Sequence, residues 1–208
     1  MTTAQADPDT GRSNQKKRTR TAIVEATDRL IRAGQEVTMP EIARAALVSE
    51  ATAYRYFPDL VSLLPEAMDG LWPDPADALA PVAESADPVE RVASAAEYLL
   101  RGVIAYQGAV RAMISATITR PAVAATRPGY RFGLIDHALA PFEGTLAARD
   151  AEAFAQLKRD LAVVMGAEAL YCLTDLCGLS PEDAITSAVR TAKTLTEAAL
   201  RKDAAAGG

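Results

Sequence analysis

The residues from Thr38 to Phe57, TMPEIARAALVSEATAYRYF, carry two short helical patterns with only three or four residues between them. Helices joined that tightly must cross and bury their facing sides, so this stretch constrains the fold more than any other. Thr38 is placed to accept from the backbone at Glu41, and Glu41, three residues on, to return a bond, as in a capping box. Ile42, Ala43 and Ala46 follow as a small apolar face that permits a close crossing, and the pattern halts at Leu47-Val48. Ser49 restarts it as an N-cap, and Pro58 ends it by disfavouring helical geometry in the residue before it.

The second helix is about two turns long, too short to be stable alone or to bury much. It nevertheless carries Ser49, Thr52, Tyr54, Arg55 and Tyr56. Such hydrogen-bonding groups on a compact rod mostly grip phosphate and sugar, while residues at the helix N-terminus reach base edges in the major groove. The pattern is that of a helix-turn-helix DNA reader. The alternative for this segment is that Tyr54 and Tyr56 are packing aromatics of a small helical domain.

The first helix is predicted from about Thr19 to Ala33, with Ile23, Ala26, Leu30 and Ile31 on one face and Gly34 as its stop. Asp59 caps a fourth, through Val61, Leu63 and Leu64 toward Met68, with Pro65 expected to shorten or kink it. Overall charge is −5, but its sign is uneven. Residues 11 to 60 hold nine Lys/Arg against six Asp/Glu, a net of +3, whereas residues 61 to 208 hold thirteen against nineteen, a net of −6; Asp7 and Asp9 supply the remaining −2. The basic density peaks at Arg12, Lys16, Lys17, Arg18 and Arg20, where cations can exchange counterions for phosphate. A solvated flexible tail is the bland alternative.

Half of the 208 residues are apolar, few are aromatic and one is histidine, which fits a largely helical protein of one small and one larger domain. No apolar run approaches the roughly 20 residues of a membrane span and the N-terminus is polar, so no membrane association and a cytoplasmic location are expected. Cys172 and Cys177, five apart within a predicted helix, do not share a face and are expected to be reduced core thiols. A redox sensor or an intersubunit disulfide is the alternative. Two thiolates and a lone His137 fall short of a four-ligand zinc site, so no metal is expected.

The amphipathic helix ending at Gly34, followed by TMPEIARAALVSEATAYRYFPDLVSLL, resembles the N-terminal domain of the tetracycline-repressor (TetR) family of transcriptional regulators. The resemblance rests on Thr38, Ile42, Ala43, Ala46, Val48, Ser49, Thr52, Tyr54, Tyr56, Phe57 and Leu64 at the family's spacing, over about residues 15 to 64. The rest of the chain is similar only in size, helicity and a C-terminal pattern. The resemblance implies an all-α fold: a disordered tail over 1–14, a three-helix helix-turn-helix DNA-binding domain over 15–64, and a helical effector-binding and dimerisation domain over 65–208. It implies a homodimer whose recognition helices enter successive major grooves of a near-palindromic double-stranded operator, roughly 34 Å apart. Thr38, Ser49, Thr52, Tyr54 and Tyr56 would contact backbone or thymine methyls, Glu50 and Ala51 would face bases, and Arg18 and Arg20 would approach phosphates or the minor groove.

Three positions depart from the family. Leu47 stands in the turn where glycine is usual, and a residue with a Cβ in left-handed geometry costs roughly 1–2 kcal/mol. Leu60 replaces a lysine just after the recognition helix, removing a phosphate contact. Glu50 brings a negative charge near DNA, either to accept from cytosine N4 or to complement the helix dipole.

Residues 71–85, rich in proline, aspartate and alanine, predict a loop or broken helix between the domains. Helices are then predicted at about Pro88 to Tyr106, Gly108 to Thr119, Arg127 to Phe142, Arg149 to Cys177 and Ser180 to Lys202. In the fourth of these, Leu157, Leu161, Val164, Glu168 and Tyr171 share a face, and Ala162, Gly166 and Ala169 make a side small enough for close approach. Ser180 caps the last helix, Pro181 fits its first position, and Ile185, Ala188, Val189, Ala192, Leu195, Ala199 and Leu200 form its stripe. The resemblance implies that this pair builds an isologous four-helix dimer interface. The alternative is an internal hairpin of a monomer.

A small-molecule effector, its identity open, would need apolar walls with a few polar handles. The candidates are Tyr98, Tyr106, Met113, Phe132, Phe142, Met165 and Tyr171, with Arg111 and His137 as polar groups; the alternative for each is plain core. The sequence shows no metal-ligand cluster, glycine-rich phosphate loop or nucleophile with an evident base, so neither an enzyme nor a cofactor is expected. Two functions remain: an effector-released regulator, expected to be a repressor, and an interaction or sensor protein of the same fold with weakened DNA binding.

Overall fold

In the computed structural model, which describes residues 8–118 and 129–206, the chain is helical throughout and no strand occurs among the described residues. It forms two units. The first contains α1 (Pro8–Arg32), α2 (Met39–Ala45), α3 (Glu50–Tyr56), α4 (Leu60–Ala67) and, from further along the chain, α7 (Gln107–Ile118). The second contains α5 (Pro75–Ala78), α6 (Pro88–Ala105), α8 (Tyr130–Leu139), α9 (Glu143–Arg149), α10 (Ala151–Val164), α11 (Ala167–Tyr171) and α12 (Pro181–Ala206).

In the first unit α1 presents Ile23, Ala26, Thr27, Leu30 and Ile31 inward, spaced as one helical stripe, and packs on α2 and α4. The helix begins at Pro8 rather than near Thr19, so residues 8–14, expected as tail, are helical. Residues 1–7 lie outside the described residues. Gly34 ends α1 at φ 64, with Gly34 N–H bonded to the Ile31 carbonyl and Gln35 N–H to that of Leu30, both at 3.0 Å. α4 starts at the Asp59 cap, whose carboxylate accepts from Ser62 N–H at 2.9 Å, and Pro65 lies inside a helix of only eight residues. α7 packs on α4, so the first unit extends past the single boundary expected at 64/65. At the start of α7, Gly108 faces the Gln35 carbonyl so closely that a Cβ there would stand 2.6 Å from its oxygen.

In the second unit α6 lies between α8 and α12, and α10 packs on α8, α9 and α12. Arg91, 2% exposed, ties the unit together. Its guanidinium donates to the carbonyls of Ala138 (2.9 Å), His137 (3.1 Å), Val82 (2.6 Å) and Ala83 (2.8 Å). These carbonyls sit at the ends of α8 and of the 3-10 turn Ala80–Val82, where chain ends leave acceptors unsatisfied and partial negative charge favours a cation. The residues from 71 to 85 form α5 and this turn, a broken helix as expected.

The long helix expected from Arg149 to Cys177 is interrupted. α10 ends at Met165, Gly166 is extended (φ −87, ψ 155), and α11 restarts at Ala167. Arg131 of α8 occupies the gap, donating to the Ala162 carbonyl at 3.1 Å and pairing with Glu168 at 3.4 Å; a Cβ on Gly166 would collide with its guanidinium. The break rotates the buried face, so Phe154, Leu157, Leu161, Met165 and Leu170 point inward while Val164 and Tyr171 are half-buried and Glu168 is exposed. On α12 the inward stripe is Ala184, Ile185, Ala188, Ala192 and Thr196; Val189, Leu195, Ala199 and Leu200 are only half-buried. Cys172 and Cys177 are exposed rather than core. The chain from Cys172 to Leu176 closes a π turn, with Cys177 N–H bonded to the Cys172 carbonyl at 3.1 Å, at the rim of the unit. No helix among the described residues is long and apolar enough to cross a membrane.

Candidate nucleic-acid interface

The two caps of the helix-turn-helix are in place. Thr38 Oγ1 accepts from Glu41 N–H at 3.4 Å, while the Glu41 carboxylate engages Arg44. Ser49 Oγ accepts from Thr52 N–H at 3.2 Å and lies 2.9 Å from the Thr52 hydroxyl. Between them α2 ends in a Schellman motif: Val48 N–H bonds the Ala43 carbonyl (3.0 Å) and Leu47 N–H that of Arg44 (3.1 Å). This motif requires a left-handed residue, and Leu47 adopts it at φ 56 with its side chain 93% exposed. Leu47 therefore bears the steric cost without any burial to offset it.

α3 is held by its inner face. Ala53 and Phe57 are buried, whereas Glu50, Ala51, Tyr54 and Arg55 are exposed and Thr52 and Tyr56 half-buried. The outward groups form one continuous rim of hydroxyls, a carboxylate and a guanidinium, and the Arg55 guanidinium lies 5.5 Å from the Tyr56 ring centre. Arg18 is exposed on α1. Arg20 is placed differently from a free phosphate ligand: it makes a two-pronged ion pair with Glu66 of α4, with Nη1 to Oε2 at 2.7 Å, and stacks 4.4 Å over the Phe57 ring. Sequence reasoning missed this role. Arg20 braces α1 and α4 against the end of the recognition helix.

The expected ligand residues fall in both units. Tyr106, Arg111 and Met113 belong to the first unit, and Tyr98, Phe132, His137, Phe142, Met165 and Tyr171 to the second. Met113 and Met165 are buried core and Phe132 is exposed. A 480 Å³ groove beside α6 and α12, lined in part by Glu97, Arg101, Ile185, Val189, Arg190 and Lys193, contains none of them.

The second unit holds instead an aromatic cluster that sequence reasoning missed. Trp72 and Tyr130 stand 5.0 Å apart between ring centres, tilted by 34°. The Tyr130 hydroxyl is shut off from solvent and faces the Tyr98 phenol without a well-formed hydrogen bond. Burial foremost, then the Tyr98 phenol and the carboxylates of Asp74 and Asp77, push its pKa well above that of a free phenol, so it stays protonated. The one signal available beforehand was Trp72 itself, the only tryptophan, set in an otherwise turn-like stretch. Among the described residues no group of histidine, cysteine and carboxylates could hold a metal ion.

Comparison with known proteins matches residues 23–67 to the model of the bacterial regulatory proteins of the tetR family. The matched span runs from within α1 to the end of α4 and contains the whole rim. Neither a curated protein nor a solved structure matches the chain.

Proposed function

The chain belongs, through residues 23–67, to the TetR family of bacterial regulatory proteins, and on that premise we propose that it is an effector-released repressor that binds a near-palindromic operator as a homodimer. It is a TetR-type DNA-binding transcriptional regulator. The observation that carries the proposal is the α3 rim: six polar or small residues facing outward from a helix anchored only by Ala53 and Phe57, beside a capped and closely crossed α2. Thr52, Tyr54, Tyr56, Arg55 and Thr38 grip the sugar-phosphate backbone, Ser49, Glu50 and Ala51 lie nearest the bases, and Arg18 adds a phosphate contact.

Dimerisation uses the helices from α10 to α12. In support, Val163 and Leu176 are exposed, and Val164, Tyr171, Leu195, Ala199 and Leu200 are half-buried, which is apolar surface a symmetry mate can cover. The effector acts by population shift, binding better to the dimer whose two α3 helices no longer match the groove spacing.

The test is DNA binding by the full-length protein. Thr52→Ala and Tyr54→Ala each weaken binding by about tenfold at every sequence, equivalent to about 1.4 kcal/mol. Glu50→Ala changes base preference, and Arg18→Ala lowers the slope of log affinity against log salt by about one. If Thr52→Ala, Tyr54→Ala and Glu50→Ala all leave affinity and preference unchanged, α3 is not the reader.

A further inference from the structure

We propose that the second unit binds an organic cation, an ammonium carried on an apolar body, in a cluster formed by Trp72, Tyr98 and Tyr130 and edged by Asp74 and Asp77. The inference rests on the effector-released reading above and names the chemical class of that effector.

Three elements bring the rings together. Trp72 turns the edge of its six-membered ring to α6 at Gly102, where a Cβ would overlap it, so only glycine admits the indole there. Tyr98 is one helical turn before Gly102 and so on the same face of α6, and its phenol faces that of Tyr130. Tyr130 opens α8 and meets the indole from the other side, 5.0 Å between ring centres. Its hydroxyl is shut off from solvent beside the Tyr98 phenol and lacks a well-formed hydrogen bond. A polar group left unsatisfied inside an aromatic cluster indicates a place where something else belongs.

The carboxylates lie alongside. Asp74 caps α5, accepting from Ala76 N–H at 2.9 Å through one oxygen. Pro75 packs on α8 at Gly133, one turn from Tyr130, with 3.3 Å between its Cγ and the Cβ position of that glycine. Asp74 and Asp77 therefore flank the ring pair, and both act electrostatically on the Tyr130 phenol. The neighbouring cation on α8, Arg131, is engaged by the Ala162 carbonyl and Glu168 of the helices beyond. The site thus offers negative ring faces and two carboxylates, which favour a cation and disfavour an anion.

Because Trp72 is the only tryptophan, its fluorescence reports this site alone. The full-length protein is titrated with benzyltrimethylammonium and with its uncharged isostere, neopentylbenzene. The cation is expected to change the emission saturably and to bind about tenfold tighter than the isostere. Asp74→Asn combined with Asp77→Asn reduces affinity for the cation about fivefold or more and leaves the isostere unchanged. Tyr98→Ala weakens cation binding and Tyr98→Phe restores it, with far-ultraviolet circular dichroism checking that each variant is folded. No saturable change with the cation, or equal affinity for the isostere in the unmodified protein, overturns the proposal. DNA binding without ligand is measured on the same preparation, so a failure of the DNA-reading assignment is seen separately from a failure of this one.

Discussion

Replacing Leu47 by glycine should stabilise the protein. Leu47 holds φ 56 at the left-handed position of the α2 Schellman motif, where a Cβ costs about 1–2 kcal/mol. Its side chain is 93% exposed, so removing it forfeits almost no buried area. Glycine's extra freedom in the unfolded chain takes back about 0.5–1 kcal/mol. The net gain centres on about 0.7 kcal/mol, which for a chain of this length raises Tm by about 2 °C. Leu47→Ala keeps the Cβ and so the strain, and should lie within about 0.5 kcal/mol of the parent. The chain supplies its own control: Gly34 holds the same position after α1 at φ 64, with open space around a Cβ. Gly34→Ala should therefore cost about 0.5–1 kcal/mol through backbone conformation alone. Thermal unfolding followed at 222 nm measures all three. A Leu47→Gly variant melting at or below the parent, while Gly34→Ala falls as expected, would refute the claim that Leu47 is strained.

Two further substitutions probe the units separately. Arg91→Ala leaves four carbonyls at two chain ends without their shared donor and opens a cavity, and should cost about 3 kcal/mol or more in urea unfolding; a loss below about 1 kcal/mol would show that the guanidinium is not the tie it looks to be. Gly108→Ala sets two effects against each other: about 1 kcal/mol gained in helix propensity for α7, and about 1–3 kcal/mol lost by driving a Cβ to 2.6 Å from the Gln35 carbonyl. Net destabilisation is expected, and a rise in Tm would mean that α7 does not seat against the loop between α1 and α2.

What was legible in the sequence was local chemistry. Thr38, Ser49 and Asp59 cap α2, α3 and α4 through bonds spanning three residues, which a reader of the chain can enumerate. At Leu47 the place of the turn was legible, and only the family resemblance, with its usual glycine there, pointed to the left-handed geometry the structure shows. What was not legible depends on partners distant in sequence. Arg20 reads as a phosphate ligand until Glu66, forty-six positions on, is seen to hold it. The helix through Gly166 looks continuous until Arg131 is found in the gap. That break and the π turn after it carry Cys172 and Cys177 to the surface, although helical periodicity assigned them to the core. The aromatic cluster drew Trp72, Tyr98 and Tyr130 from three separate segments, and of these only Tyr98 stood among the ligand candidates. Periodicity ranks residues along one helix but cannot say which face another helix will cover.

In the proposed homodimer α3 is one of two symmetry-related readers. Selecting bound fragments from random double-stranded DNA with the full-length protein tests it most directly. Enrichment of an inverted repeat is expected, its half-sites about one helical turn apart, or a whole multiple of it, centre to centre. No enriched sequence, or binding whose affinity is independent of salt, would contradict it.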